Sequence, residues 1–305
     1  MVRSLDKNYF EFVNCPVCEN DNLGLYFKIN YGRLKQKKSL DYSCLGIGQD
    51  TEITLSNCKK CGFVFTNPRP KNECGKIIYN QSKKNLYKKD ENKFKIGSDE
   101  NVLFNRRRKL DYLNMLLKLL SIADLNSPLR LFDYGCGFGH TMSLARELGI
   151  EARGVDIDDF RLNYCKELGL DVYSVEEFKR INSGLKYNFI VCQSIVEHII
   201  DLKDFILLVD SIAEDKSILY ISGVTPKLIA IENKNGMFVK AHFLEHLNYF
   251  PDSTLDFLTK RINFYPLGYK IFLLNGKKIV VPASLARLFK SRNGFFERIY
   301  IKRGF

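Results

Sequence analysis

Residues 129–140 read LRLFDYGCGFGH. An apolar run closes on an acid, Asp133, and Gly135, Gly137 and Gly139 then alternate with other residues. LRLFD reads as a buried strand, and His140 to Leu148 as a helix closed by Gly149. A strand, a glycine-rich turn and a helix together make a loop whose backbone can approach a ligand closely. The dinucleotide pattern GxGxxG is not met, because its third glycine falls on His140.

The pattern continues downstream. ARGVDI reads as a strand, Asp158 to Leu168 as a helix closed by Gly169, and LDVYS as a strand. YNFIVCQ is a further strand, Leu202 to Ala213 a helix and SILYIS a strand. Strands that alternate with helices predict an α/β fold with a doubly wound parallel sheet. FYPLGYKIFLL and KKIVVP are expected as later strands in a less regular C-terminal stretch. Upstream, Val102 to Leu120 is expected as a long helix with Leu110, Leu113, Leu117 and Leu120 on its apolar face. A short helix is expected around Lys76 to Tyr79, and Asn126-Ser127-Pro128 breaks the chain.

Cys15-Pro-Val-Cys18 and Cys58-Lys-Lys-Cys61-Gly form two CxxC knuckles. A two-residue spacer lets both sulfurs of a knuckle face one ion, and four thiolates in a tetrahedron suit zinc. The 39 residues between the knuckles exceed the common gap, but contain LYFKINYG and TEITLS, which can form a small ribbon. Such a closed site stabilises a subdomain and leaves no position for chemistry. Cys44 and Cys74 are expected to be ordinary.

The 305 residues are 45% hydrophobic, ample for a core, with a formal charge of +12. Residues 71 to 110 carry twelve Lys or Arg against five acids, which allows anionic substrates, nucleic acid or simply a solvated face. Asp6, Lys7 and Asn8 stand where a secretory apolar core would sit. No apolar run approaches a membrane span. A cytoplasmic location is expected, where nine cysteines do not form a disulfide framework. The expected domains are a zinc ribbon over 1–75, a basic helical connector over 76–125 and a ligand-binding domain over 126–305.

GVDID places Asp156 at the end of the second strand, 21 residues after Gly135. YNFIVCQSIVEHIIDLKDF and HFLEHLNYFPDSTLDFL follow. Together with the loop, these segments resemble the class I S-adenosylmethionine-dependent methyltransferases. The N-terminal CPVC and CKKCGFVFTNPRP resemble the zinc-ribbon extension of one branch, which includes sugar C-methyltransferases and enzymes of polysaccharide clusters. The resemblance implies a Rossmann-like seven-stranded sheet. It also implies that Asp133, Gly135, Gly137, Gly139, Asp156, Ile157 and Gln193 bind S-adenosylmethionine, and that Cys15, Cys18, Cys58 and Cys61 bind zinc. Asn188 stands where the family commonly has Asp, a departure expected to affect packing alone.

Methyl transfer from a sulfonium is an in-line displacement governed by positioning. A hydroxyl acceptor also needs a base, a task that suits a neutral histidine. The four histidines are His140, His198, His242 and His246. His140 opens a helix near the cofactor and is the weakest choice; His198 and His246 are the expected catalytic residues. The expected substrate is a saccharide, nucleotide sugar or related small metabolite, methylated at oxygen. RNA methylation, with the ribbon and basic region gripping phosphates, is the alternative. A non-catalytic binding module is disfavoured by the intact Asp133, Gly135, Gly137 and Asp156 set.

Overall fold

The computed structural model describes residues 5–34, 42–79, 91–123, 128–182, 184–235, 243–267, 271–274, 277–280 and 294–303. Its centre is a seven-stranded sheet. We number its strands β1 (Arg130–Tyr134), β2 (Glu151–Val155), β3 (Asp171–Tyr173), β4 (Tyr187–Gln193), β5 (Ala213–Val224), β6 (Phe264–Pro266) and β7 (Phe295–Lys302). Their spatial order is β3-β2-β1-β4-β5-β7-β6. β1 to β5 are parallel, and β7 runs antiparallel to both β5 and β6. This is the Rossmann-like α/β architecture the resemblance implies. The C-terminal antiparallel strand β7 departs from the all-parallel sheet that strand–helix alternation predicts.

Each central strand feeds two cores by simple alternation. Leu131, Phe189, Val191 and Tyr220 pack on one side of the sheet. Phe132, Ile190, Cys192 and Leu219 pack on the other. Strands buried on both faces read as continuous apolar runs, which is why YNFIVCQ is legible as a strand residue for residue.

The helices are α1 (Asp99–Leu120), α2 (His140–Glu147), α3 (Asp159–Glu167), α4 (Val175–Ile181), α5 (Leu202–Ile212), α6 (Lys227–Lys234) and α7 (Asp252–Lys260). Ser98 caps α1 by accepting the Asn101 N–H at 3.2 Å. α1 buries only half of the leucine face expected of it: Leu113 and Leu120 pack against the core cluster. Leu110 and Leu117 are 65% and 55% exposed, while Met115, Leu116 and Leu119 pack on the sheet. The chain is also helical at residues 74–79. α4 and α6 were not foreseen.

The N-terminal segment is built into this body. Its strands Leu23–Asn30, Glu52–Cys58 and Val64–Thr66 form an antiparallel sheet. A fourth strand, Asn248–Tyr249, comes from the far end of the chain and pairs with Val64–Thr66. Cys61 O accepts the Thr254 hydroxyl at 2.8 Å, and Val17 O accepts the Arg261 guanidinium at 3.0 Å. Cys15, Val17, Phe63 and Phe65 share a buried cluster with Phe250, Leu255 and Phe296. Among the described residues no helix is long and apolar enough to cross a membrane.

Candidate active site

The chain leaves β1 for α2, while β4 lies on the opposite side of β1 from β2. In open α/β sheets ligands bind at such a switch point, beyond the carboxyl ends of the strands. The glycine loop follows β1 there, and the SIVEH segment follows β4. The two touch: a β-carbon on Gly135 would stand 2.7 Å from Ile195 Cγ1, and Gly135 has φ +80°. At Gly139, with φ +69°, a β-carbon would meet Leu170 Cδ1 at 2.3 Å. Both positions require glycine for conformation and for space.

Asp156 is 5% exposed. Its Oδ2 accepts the Gly137 N–H at 2.8 Å, and its Oδ1 accepts the Asp158 N–H at 2.9 Å. Arg161 Nη1 lies 3.8 Å from Oδ2. That guanidinium is held between Tyr79 and the loop residue Phe138, 5.1 and 5.3 Å from their ring centres. Ile157 follows Asp156 and is 42% exposed. Asp133 is buried beneath the loop; burial and then the Asp156 charge push its carboxyl up to about 7. Gln193 ends β4, and its buried Oε1 has no hydrogen-bond partner. Asn188 receives the Arg130 N–H at 2.6 Å and donates to Glu214, a bracing role consistent with packing alone.

His140 belongs to the scaffold. Its Nε2 donates to Asn105 Oδ1 at 3.1 Å, and its ring stacks on Tyr112 at 5.7 Å. Burial and the nearby Arg108 hold it down at about 3, so it stays neutral. His198 and His246 come together across the sequence, with ring centres 4.7 Å apart. His198 Nδ1 lies 2.9 Å from the Glu245 carbonyl oxygen. A carbonyl only accepts, so Nδ1 carries the hydrogen and Nε2 the lone pair. Glu197, between β4 and His198, is 2% exposed, and burial pushes its carboxyl up to about 8. His242 lies outside the described residues.

Several supporting residues escaped the sequence reading. Asn248 donates to the carbonyls of Val196 and Ile199 at 2.9 and 2.6 Å. Buried Arg69 donates to those of Ile199 and Ile200 at 3.1 and 2.8 Å. Tyr79 sets its ring 6.4 Å from that of His198. A small cavity beside His198 is lined by Tyr79, Ile200, Leu244, Glu245 and Leu247. The only signal for Arg69 and Asn248 was their place within the TNPRP and EHLNYF segments.

The four knuckle cysteines converge. Cys15 Sγ lies 3.5 Å from Cys61 Sγ, and Cys18 Sγ 3.5 Å from Cys58 Sγ. Disulfide sulfurs are about 2.05 Å apart, whereas zinc–sulfur bonds of about 2.3 Å give tetrahedral edges near 3.8 Å. The N–H groups of Val17 and Cys18 aim at the Cys15 sulfur. Burial alone would raise the Cys58 thiol, but the N–H groups of Cys61 and Lys60 hold it at about 7.

A family model described as a methyltransferase domain matches residues 104–267, more than half of the chain. The chain belongs to this methyltransferase family. Solved structures are similar to it at low identity. The PH0226 protein from Pyrococcus horikoshii OT3 is 14% identical, with 72% of this chain and 99% of that one covered and a TM-score of 0.50. A SAM dependent methyltransferase from Archaeoglobus fulgidus is 19% identical, with coverages of 65% and 94% and a TM-score of 0.44. Magnesium protoporphyrin IX methyltransferase from Synechocystis PCC 6803, solved with bound SAH, is 12% identical, with coverages of 76% and 100% and a TM-score of 0.49. No curated protein matches this methyltransferase.

Proposed function

We propose that this methyltransferase moves the methyl group of S-adenosylmethionine to a hydroxyl of a saccharide, nucleotide sugar or related small metabolite. One observation carries the reading: Gly135 of the loop packs on Ile195 of the turn that carries His198, and the Tyr79 ring lies against both His198 and Arg161, the partner of Asp156. Asp156 uses two lone pairs on backbone amides, and a carboxylate retains two more for a ribose diol. The orphaned Gln193 Oε1 suits a donor on the cofactor. Asp133, Gly135, Gly137, Gly139 and Ile157 complete that wall. S-adenosylmethionine supplies an electrophilic methyl; the chain's work is to orient the acceptor and take its proton, a task we assign to His198 or His246.

Cys15, Cys18, Cys58 and Cys61 would hold zinc in a structural role. Their sulfur spacing and the N–H groups aimed at them fit thiolate ligands. A second reading, RNA methylation, draws on the exposed Arg106, Arg107 and Arg108 of α1. Steep loss of RNA binding with salt would favour it.

The test is mass spectrometry of candidate acceptors after incubation with S-adenosylmethionine. Methylated saccharide or nucleotide sugar supports the reading, and methylation of RNA alone overturns the acceptor assignment. Full activity in both His198→Ala and His246→Ala removes the histidine base.

A further inference from the structure

Glu197, His198 and His246 converge from two segments, the turn after β4 and the stretch leading into Asn248–Tyr249. One ligand atom of each lies within 4.8 Å of the others. Three observations distinguish this trio from a chance cluster. The Glu197 carboxylate is buried and its Oε2 has no hydrogen-bond partner. A buried carboxylate is costly unless a positive group faces it. Next, the His198 ring is pinned through Nδ1 to the Glu245 carbonyl at 2.9 Å, which points Nε2 and its lone pair away. Metal-bound histidines are held in this way by their other nitrogen. Finally, the two segments are locked to each other. Leu247 N–H donates to Glu197 O at 2.6 Å, and the Asn248 amide bridges Val196 and Ile199.

We propose that Glu197, His198 and His246 form a divalent-cation site distinct from the four-cysteine site. Two imidazoles and one carboxylate suit manganese, iron or zinc and leave coordination positions open, whereas four thiolates select zinc. The inference rests on the methyl-transfer reading above and refines its proton step. The acceptor oxygen occupies an open position on the ion, which lowers the pKa of its hydroxyl. The O–H proton leaves to solvent, the new O–C bond forms and the C–S bond of S-adenosylmethionine breaks. The imidazoles then act as ligands, and the ion takes over the activation that a free ring would otherwise provide.

The experiment titrates Mn2+ into the whole chain loaded with a single equivalent of zinc, which the four thiolates take first, and bound ion is read by electron paramagnetic resonance. Zinc content is measured on the same samples. We expect one Mn2+ per chain with zinc retained, and binding weakened at least about tenfold in Glu197→Gln and in His246→Gln. Thermal unfolding identifies any variant that fails to fold, and the wild-type stoichiometry tests the proposal without one. No Mn2+ bound by wild-type protein at millimolar concentration, or unchanged affinity in folded Glu197→Gln, overturns the site. S-adenosylmethionine binding is measured separately. Its presence without Mn2+ binding sinks the ion alone; Mn2+ binding without it sinks the methyl-transfer reading.

Discussion

Asp156 Oδ2 accepts the Gly137 N–H at 2.8 Å, so the acid that follows β2 and the loop that follows β1 form one unit. The same carboxylate is expected to receive the ribose of S-adenosylmethionine. Asp156→Ala therefore removes both a ligand contact and a charge-assisted loop bond. Such a bond contributes about 1.5–3 kcal/mol. Cofactor affinity should fall at least about tenfold, measured by titration calorimetry, together with a lower Tm. Unchanged affinity would sink the assignment of Asp156.

The two glycines that flank α2 differ in what they demand. Gly149 has φ +72° with nothing within 4 Å of a β-carbon, whereas Gly139 has φ +69° and Leu170 at 2.3 Å. Gly149→Ala should cost about 1–2 kcal/mol from backbone conformation alone. Gly139→Ala should add about 1–3 kcal/mol of overpacking. Denaturant unfolding of the two variants checks this. Equal losses would show that Leu170 yields freely.

Much of this architecture was legible in the chain because one kind of signal dominates it. β4 matches YNFIVCQ end to end, since a strand buried on both faces is a continuous apolar run. β7, FFERIYIK, was missed because it interleaves Glu297, Arg298 and Lys302 with its apolar residues. The leucine stripe of α1 is only half buried, with Leu113 and Leu120 against the core, for a different reason. Periodicity shows that apolar faces exist, and only the sheet's shape selects Met115, Leu116 and Leu119 over Leu110 and Leu117. At the site, Glu197 was readable as a residue of the EH segment. Its burial depends on the distant Gly223 and Phe296: a β-carbon on Gly223 would stand 3.0 Å from Glu197 Oε2 and 3.1 Å from Phe296 Cζ. No local pattern encodes that.

Two buried groups beneath the loop pull stability in opposite directions with pH. Asp133 is raised from 3.8 to about 7 in the fold. Its contribution is present below pH 3.8 and is lost as pH rises through 7. His140 is lowered from 6.5 to about 3. Its neutral ring contributes above pH 6.5, and that contribution is lost as pH falls towards 3. The slopes oppose between about pH 4 and 6.5. Asp133→Asn should leave a Tm that climbs with pH across this window relative to wild type. His140→Asn should leave one that falls. Parallel Tm profiles for all three proteins would contradict the burial of these groups.

The four-cysteine segment, which we propose binds zinc, is expected to be inseparable from the fold it adjoins. Cys15 and Cys58 lie in the same buried cluster as Phe250, Leu255 and Phe296, and Val64–Thr66 pairs with Asn248–Tyr249, beside the His246 segment. A metal that closes the knuckles therefore acts on the shared core. Cys58→Ser should lose its zinc, measured by elemental analysis. It should also lower the Tm of a single cooperative transition by on the order of 5 °C or more. Because Asn248 ties the same strand to the turn that carries His198, the variant should lose methyl transfer as well. A separate low-temperature transition, with the main one unmoved and activity intact, would show that the ribbon is an appendage.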